Sequence, residues 1–220
     1  MRRNAGWIFL GVAMFSPPLQ AAPQWPDTFV GRLEALTLVE TLNANLLASS
    51  SATQTLETWC AAHHMAKDAT LYAHLKRGVQ KPLPTAERAR LEIGPEEPVI
   101  YRRVDLACGS HVLSRADNWY VPSRLTPAMD KELTSTDIPF GRAIHDLHPR
   151  RQTFAVTILW HPLPVGWETA PTPPDHSGAE LAIPPILFEH RAIVYAGDGK
   201  PISEVDEHYT RDILDFAHGK

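Results

Sequence analysis

The spacing of apolar residues predicts two helices in the first part of the chain. Between residues 31 and 48, leucines and one valine recur every three or four positions, which is the period of one helical face. A run of three serines then interrupts the helix, and Ser51 with Gln54 forms a capping-box pattern that begins a second one. The apolar face of this second helix is expected to consist of Leu56, Trp59, Cys60 and His63.

After the second helix the pattern changes to that of short strands separated by turns. We predict strands at 69–75, 99–107, 112–121, 154–160, 188–195 and 202–210. The segments between them are predicted to be a connection with one helical turn (81–98), two short helices (126–133 and 139–147) and a long proline-rich loop (161–185). Strands joined by hairpins favour antiparallel pairing, so we predict a single α+β domain, with helices packed on one face of an antiparallel sheet.

The last predicted strand carries carboxylates on both of its faces. Asp198 and Gly199 before it suit a two-residue hairpin turn. Side chains alternate along a strand, so Glu204 and Asp206 point to one side and Glu207 to the other. Ionised groups inside a sheet are normally paired. The candidate partners are Arg102, Arg103, Arg115 and Arg191.

Composition excludes some classes of function. The chain of 220 residues has a formal charge of −4 and no run of basic residues longer than Arg150-Arg151. Because phosphate binding needs a clustered basic surface, we expect no nucleic-acid partner. The histidines are scattered, and His145 and His148 lack the companion residues of a zinc motif, so we expect no metal.

The first 21 residues have the pattern of a secretory signal peptide. Arg2-Arg3 precede an apolar run from Ala5 to Phe15, which is too short to span a bilayer, and Ala21 suits a cleavage site. We therefore predict a signal peptide over 1–21, a domain over 22–220, and a periplasmic or secreted protein without further membrane contact. Two alternatives are an uncleaved anchor and a true start at Met14, which would leave the protein in the cytoplasm.

The chain has two cysteines, Cys60 and Cys108. In an exported protein they would form one disulfide. The alternative is two buried thiols that never meet, because geometry decides whether a bridge can form.

Four segments resemble the chorismate–pyruvate lyase family in their order and spacing, over roughly residues 30–215. They are YRRVDL (101–106), NWYVP (118–122), DIPFGRAI (137–144) and HRAIVYAGDGKPISEVDEHY (190–209). The resemblance implies the chorismate lyase-like fold, a six-stranded antiparallel sheet covered by helices, which also serves as the effector-binding domain of some bacterial transcription regulators. It further implies cleavage of chorismate to 4-hydroxybenzoate and pyruvate without any cofactor.

The resemblance also implies roles for individual residues. Arg102 would hold the ring carboxylate, Phe140 would supply a backbone contact, and Asp206 would act on the other end of the ring as the acid/base candidate. Arg142 or Arg191 would meet the enolpyruvyl carboxylate. Structural alternatives are a salt bridge for Arg102, an ion pair for Asp206 and core packing for Phe140.

The position of Asp206 departs from the family, which has a glutamate there. The shorter side chain withdraws the carboxyl by about 1 Å, and misplacement on that scale costs on the order of 100-fold in rate. Glu204 or Glu207 would replace it only if the strand register slipped. The 161–185 loop, longer than usual for the family, is a candidate cover for the pocket.

Two functions follow from these observations. The first is a chorismate lyase, which the retained family segments favour. The second is an exported protein that binds a small aromatic carboxylic acid without chemistry, which the signal peptide and Asp206 favour. We expect weak or absent chorismate cleavage, retained binding of 4-hydroxybenzoate-like acids, and a monomer.

Overall fold

The computed structural model describes residues 25–216, so the predicted signal peptide lies outside the described residues. Six antiparallel strands form one sheet in the order β1-β2-β3-β6-β5-β4. The strands are β1 (Leu71–Leu75), β2 (Ile100–Cys108), β3 (His111–Tyr120), β4 (Arg150–Ile158), β5 (Ile186–Tyr195) and β6 (Pro201–Thr210). The helices are α1 (Phe29–Ala48), α2 (Ala52–Ala62), α3 (Thr85–Arg90), α4 (Pro127–Ser135) and α5 (Phe140–Ala143), with 3₁₀ turns at Pro122–Arg124, His145–Leu147 and Arg211–Leu214. The predicted α+β class and the six-stranded antiparallel sheet are confirmed.

The first two helices each begin directly after a residue whose side chain caps them. The side chain of Thr28 accepts a hydrogen bond from the Gly31 amide at 3.0 Å, and that of Ser51 accepts one from the Gln54 amide at 3.3 Å. Gly31 is required for close packing, since a Cβ there would lie 2.3 Å from the carbonyl oxygen of Pro26. These caps fix the direction in which α1 and α2 leave the loops before them.

The strand β4 begins at Arg150, earlier than the predicted 154. Its first residues are polar, and Arg151 pairs with Val194 of β5 in the register. A hydrophobic pattern cannot reveal a strand whose first residues are charged, because their burial depends on partners from other elements. This shift brings Arg151 into the sheet.

Helices cover both faces of the sheet, which corrects the prediction of a single covered face. The helices α1 and α2 pack on one face, where Leu42, Leu46 and Leu56 join the largest hydrophobic cluster. On the other face, α3 is held against the sheet by an ion pair between Arg90 and Glu204 of β6. We call the first side the cavity face and the second the α3 face.

The strand register explains why β6 carries acids on both sides. Arg102 lies opposite Asn118, which lies opposite Val205, so Arg102 shares the cavity face with Val205 and Glu207. Glu204 and Asp206, one residue out of step, point to the α3 face. Because β6 is an interior strand covered on both sides, each of its faces needs partners for its charges.

The two hairpin turns differ from each other. The β2–β3 turn has two residues, with Gly109 at a φ of 56°. The predicted two-residue turn at Asp198-Gly199 is wrong, because residues 196–200 all lie between β5 and β6. Only Gly199 there has a positive φ, and the Gly197 amide donates to the Leu147 carbonyl at 2.7 Å, which ties the wider loop to the preceding turn.

Two long-range links connect the periphery to the core. A disulfide joins Cys60 of α2 to Cys108 of β2, with Cα atoms 6.4 Å apart. The 161–185 loop contains no helix, and its His176 amide donates to the Asp27 carbonyl at 2.8 Å, just before α1. Between residues 25 and 216, no helix combines the length and apolar character needed to cross a bilayer.

Candidate functional site

A cavity of about 70 Å³ lies between the cavity face, the beginning of α2 and the turn of α5. Its walls are apolar where β2, β3 and β6 contribute Val104, Leu106, Ala116 and Val205. Its polar lining comes from the serine and threonine hydroxyls at 50–53 and from four larger side chains. These are Arg102, Asn118, Arg151 and Glu207.

The Arg102 side chain is a buried cation with no carboxylate partner in the described part of the chain. The residue is 3% exposed, and its Nε and Nη2 donate to the carbonyl oxygens of Leu133 (2.9 Å) and Ile138 (2.8 Å). No described carboxylate lies within ion-pair distance of it, and no described residue accepts a hydrogen bond from its Nη1. Burial lowers the pKa of Arg102 to about 10, so the guanidinium remains charged at neutral pH.

Arg151 and Glu207 form an ion pair on the same cavity wall, with side chains only 4% and 7% exposed. Arg151 also donates to Thr153 Oγ1 at 2.6 Å, and the Tyr209 hydroxyl donates to Glu207 Oε2 at 3.1 Å. Burial and the neighbouring Glu207 raise the pKa of Tyr209, which therefore keeps its proton. The pair is neutral as a unit, and Glu207 Oε1 receives no hydrogen bond from any described donor.

A buried histidine lies behind this ion pair. His190 is fully buried, with Nε2 2.8 Å from Asn43 Oδ1 of α1 and Nδ1 3.4 Å from Arg151 Nη2. Burial and, secondarily, the charge of Arg151 lower the pKa of His190 to about 4. The ring is therefore neutral at physiological pH and supports Arg151 without adding charge.

Asn118 contributes a second donor to the cavity. Its Oδ1 accepts a hydrogen bond from the Ser203 hydroxyl at 2.5 Å, which turns the amide nitrogen away from β6. Among residues 25–216, none accepts a hydrogen bond from Nδ2 of this side chain. The cavity therefore holds one uncompensated positive charge, on Arg102. The amide nitrogen of Asn118 is a neutral donor on the same face of the sheet.

The structure corrects the expected pairing of Arg102 with Asp206. Asp206 lies on the α3 face, where its side chain is 20% exposed and 3.8 Å from Lys81 Nζ. The register of β3 with β6 puts it on the opposite side of the sheet from the cavity. The carboxylate that shares the cavity with Arg102 is Glu207, with no slip in register.

Arg191 is also absent from the cavity. Its Nη2 donates to Glu87 Oε1 at 2.7 Å and to Glu204 Oε1 at 3.0 Å, both on the α3 face. Arg90 binds the two oxygens of Glu204 through Nε (2.9 Å) and Nη2 (2.7 Å). These groups attach α3 to β5 and β6, and they have the pattern of a structural network.

The two remaining predicted site residues lie at or beside the cavity. Phe140 lines it, and no described residue accepts a hydrogen bond from its amide. Arg142 lies outside, in a neighbouring polar cleft, where it pairs with Glu57. No residue of the 161–185 loop lines the cavity, so the loop is not its cover.

Sequence reasoning missed Arg151, Glu207 as the cavity acid, and Asn118. Asn118 stands in the NWYVP segment, and its alternation with Arg102 would have been visible once β2 and β3 were paired residue by residue. Arg151 gave no signal, because it precedes the apolar part of its strand. In the described part of the chain, no cluster of histidine, cysteine or acidic residues could hold a metal ion.

Comparisons with known proteins bear on the family and the fold. No family model matches the chain. It is 47% identical over 199 residues to the uncharacterized protein y4mC of Sinorhizobium fredii, covering 90% of this chain and 84% of that protein.

The solved structure of PhnF from Mycobacterium smegmatis superposes with a TM-score of 0.50 at 14% identity, covering 92% of this chain and 95% of PhnF. The effector domain of PhnF gives 0.48 at 14% identity, covering 74% and 90%. At this identity the likeness concerns the fold alone, which is chorismate lyase-like, as the resemblance implied. Membership of the lyase family itself is not confirmed.

Proposed function

We propose that this chain, which belongs to the family of the Sinorhizobium fredii protein y4mC, binds a small carboxylic acid in the cavity through Arg102. The observation that supports this most is a buried guanidinium that no carboxylate between residues 25 and 216 pairs with. An unpaired buried charge is costly, and carbonyl dipoles compensate it only in part. A ligand carboxylate at Nη1 would supply the missing negative charge, with Asn118 as a second donor.

The walls and the volume restrict the body of the ligand. The walls formed by β2, β3 and β6 are aliphatic, so the part of the ligand that contacts them is apolar. The cavity volume of about 70 Å³ is about half of the ~150 Å³ that holds a benzene ring in a protein core. A single aromatic ring anchored at Arg102 therefore extends beyond the cavity, towards the wall formed by Ser51, Thr53 and Gly141.

Isothermal titration calorimetry with benzoate and 4-hydroxybenzoate tests this proposal. The Arg102→Met variant should lose at least about 100-fold in affinity, because it removes a charged, buried anchor. Arg191→Met is the matched control: it changes an equally basic residue on the other face and should bind like the wild type. Equal affinity of Arg102→Met and the wild type would overturn the proposal.

A lyase is the second candidate, and one observation favours it. Glu207 places a carboxylate in the cavity with Arg102, which removes the objection raised by Asp206. However, one oxygen of Glu207 is bound by Arg151 and Tyr209, and the enolpyruvyl ether makes chorismate larger than 4-hydroxybenzoate. We therefore expect little or no pyruvate when chorismate is added. Rapid pyruvate release that Glu207→Gln abolishes would favour the lyase over the simple binder.

We further propose that the protein is exported. The signal-like pattern of residues 1–21 supports this, and so does the disulfide between Cys60 and Cys108, since such bonds persist in oxidising compartments. Amino-terminal sequencing of the natural protein should give Ala22 as the first residue. A reduced protein that begins at Met14 would contradict export.

A further inference from the structure

A second recess, separate from the cavity, also reaches Arg102. It has a volume of about 240 Å³ and lies between the turn after β1 (75–80), the beginning of β2 (100–103) and the end of α4 (133–134). Among the described residues, Arg102 alone lines both spaces. We call this recess the basic pocket, and the buried guanidinium borders both it and the cavity.

The lining of the basic pocket is positively charged. It includes Lys76, Arg77, Arg102 and Arg103, and none of its described lining residues is acidic. The Lys76 amide donates a hydrogen bond to the Arg103 carbonyl oxygen at 2.9 Å, which holds the first two cations beside the other two. Because the whole chain has a formal charge of −4, this group of cations is a local exception that attracts anions.

Two of the four cations have partners outside the basic pocket. Lys76 Nζ lies 2.6 Å from Asp105 Oδ2, and Arg103 Nε lies 3.1 Å from Asp117 Oδ1. The side chains of Lys76 and Arg103 are 46% and 43% exposed, so solvent also screens them. These two residues therefore contribute to the positive potential of the pocket only in part.

Arg77 and Arg102 are the two cations that no carboxylate between residues 25 and 216 pairs with. Both contact the end of α4. Arg102 Nε donates to the Leu133 carbonyl oxygen at 2.9 Å, and Arg77 Nη1 lies 3.5 Å from the carbonyl oxygen of Thr134, the next residue. Consecutive carbonyl groups thus place the two guanidinium groups close together, and carbonyl dipoles compensate their charges only in part.

The size and the chemistry of the basic pocket select a small oxyanion. Its volume is below the range of about 300–1,000 Å³ for pockets that enclose drug-sized ligands. Arginine binds oxyanions with two N–H groups at once, and such charge-assisted hydrogen bonds are stronger than neutral ones. Sulfate and phosphate share this chemistry.

We propose that the basic pocket binds a small oxyanion between Arg77 and Arg102, and that this anion and the acid in the cavity weaken each other's binding. The antagonism has one physical cause: both anions compensate the same buried guanidinium, and two anions on either side of it repel each other. By linkage, the effect is reciprocal. The antagonism rests on the proposed function, whereas the oxyanion site does not.

The first test measures sulfate and phosphate binding by calorimetry at an ionic strength held constant with sodium chloride. The wild type should give a saturable heat with at least one of the two anions. Arg77→Gln should weaken this binding about 10-fold, which corresponds to about 1.4 kcal/mol. Arg211→Gln removes another exposed arginine, outside the basic pocket, and is the matched control that should bind like the wild type.

Arg77 is exposed, so its replacement should leave the melting temperature unchanged and the affinity for benzoate without added oxyanion unchanged. The absence of saturable binding by the wild type would overturn the oxyanion site. Equal oxyanion affinity of Arg77→Gln and the wild type would overturn it as well.

The second test titrates benzoate into protein that is saturated with the oxyanion. The affinity of the wild type for benzoate should fall several-fold, and that of Arg77→Gln should change little at the same oxyanion concentration. An unchanged benzoate affinity in the wild type would refute the shared use of Arg102. If the oxyanion binds and benzoate does not bind at all, the proposed function and the antagonism fail together, while the oxyanion site stands.

Discussion

The two faces of β6 carry similar charges, but these charges are paired in different ways on the α3 face and on the cavity face. On the α3 face, Glu204 is fully buried and binds both Arg90 and Arg191, whose side chains are 32% and 39% exposed. On the cavity face, Arg151 is the one described cation paired with Glu207, which also accepts from the Tyr209 hydroxyl, and no described carboxylate pairs with Arg102. On the α3 face, each charge has an opposite charge as partner and the arginines are partly exposed to solvent. On the cavity face, a buried ion pair lies beside a cation without such a partner among the described residues.

This difference distinguishes the α3-face charges, which are paired within the protein, from the Arg102 charge, to which we assign ligand binding. The α3-face arginines can hydrate if their partners are lost, and their contacts attach α3 to the sheet. Arg102 is only 3% exposed and has no described carboxylate partner, and under the proposed function its charge is fully compensated when the ligand binds. The number of charges is similar on the two faces. The local imbalance of charge on the cavity face is therefore the feature that points to a ligand site.

The largest expected effect comes from breaking the buried pair on the cavity face. Glu207→Leu leaves the buried Arg151 without its carboxylate and should lower the free energy of unfolding by about 3–5 kcal/mol. Glu204→Leu should cost less, about 1–3 kcal/mol, because Arg90 and Arg191 reach water. Urea unfolding of both variants measures the difference, and equal costs would mean that the faces do not differ as described.

A double variant sharpens this comparison. Glu207→Leu combined with Arg151→Leu removes both charges together, and the loss of stability should largely disappear. A double variant as unstable as Glu207→Leu alone would show that packing at these positions matters more than charge.

The second effect concerns the disulfide, which links α2 on the cavity face to β2. Replacing Cys60 and Cys108 by alanine opens a loop spanning 48 residues. Chain-entropy arguments give a loss of about 4 kcal/mol for a loop of this size. Thermal unfolding of the double alanine variant measures it, and a melting temperature equal to that of the wild type would contradict the expectation.

The third effect is acid destabilisation on the cavity face. The pKa of His190 is lowered from the ordinary 6.5 to about 4 in the folded protein, so the unfolded chain binds more protons between these values. Stability from this residue is present above pH 6.5 and is lost as the pH falls towards 4, by about 3 kcal/mol in total. His190→Gln should flatten the stability profile in this range, and an unchanged slope in urea titrations would refute the assignment.

The smallest expected effect is a gain in stability, and it comes from Glu87 on the α3 face. Burial is the main cause that raises the pKa of Glu87, and the nearby Glu204 adds to it. The folded state therefore binds this proton more readily, so Glu87 lowers stability as the pH rises through its folded pKa. Glu87→Gln should slightly stabilise the protein at pH 7 and make no difference at low pH. A destabilised variant at pH 7 would show that the contact with Arg191 outweighs burial.

Much of the fold was accessible from the sequence because it depends on local patterns. Leu42 and Leu46 repeat at helical spacing, and Ser51 caps α2 through its own side chain. The strand pairs around Gly109 and Gly199 are joined by short loops with characteristic residues. The candidate site was only partly accessible: Arg102 and Phe140 do line the cavity, whereas Asp206 and Arg191 do not.

The reason for those two errors is the side of the sheet on which each residue lies. Alternation within β6 separates Asp206 from Glu207, yet it cannot tell which of the two shares a face with Arg102. That assignment requires the pairing of β2 with β3 and of β3 with β6, and a shift of one residue would reverse it.

The sequence by itself determined the helices, the order of strands along the chain and the presence of an arginine on an inward-facing position. Only the tertiary structure decided that no carboxylate of the described residues pairs with Arg102, that Glu207 is bound to Arg151, and that Arg191 lies on the α3 face. The physical reason is that an element forms from residues close in sequence, whereas charge compensation depends on groups brought together from β2, β4, β5, β6 and the helices.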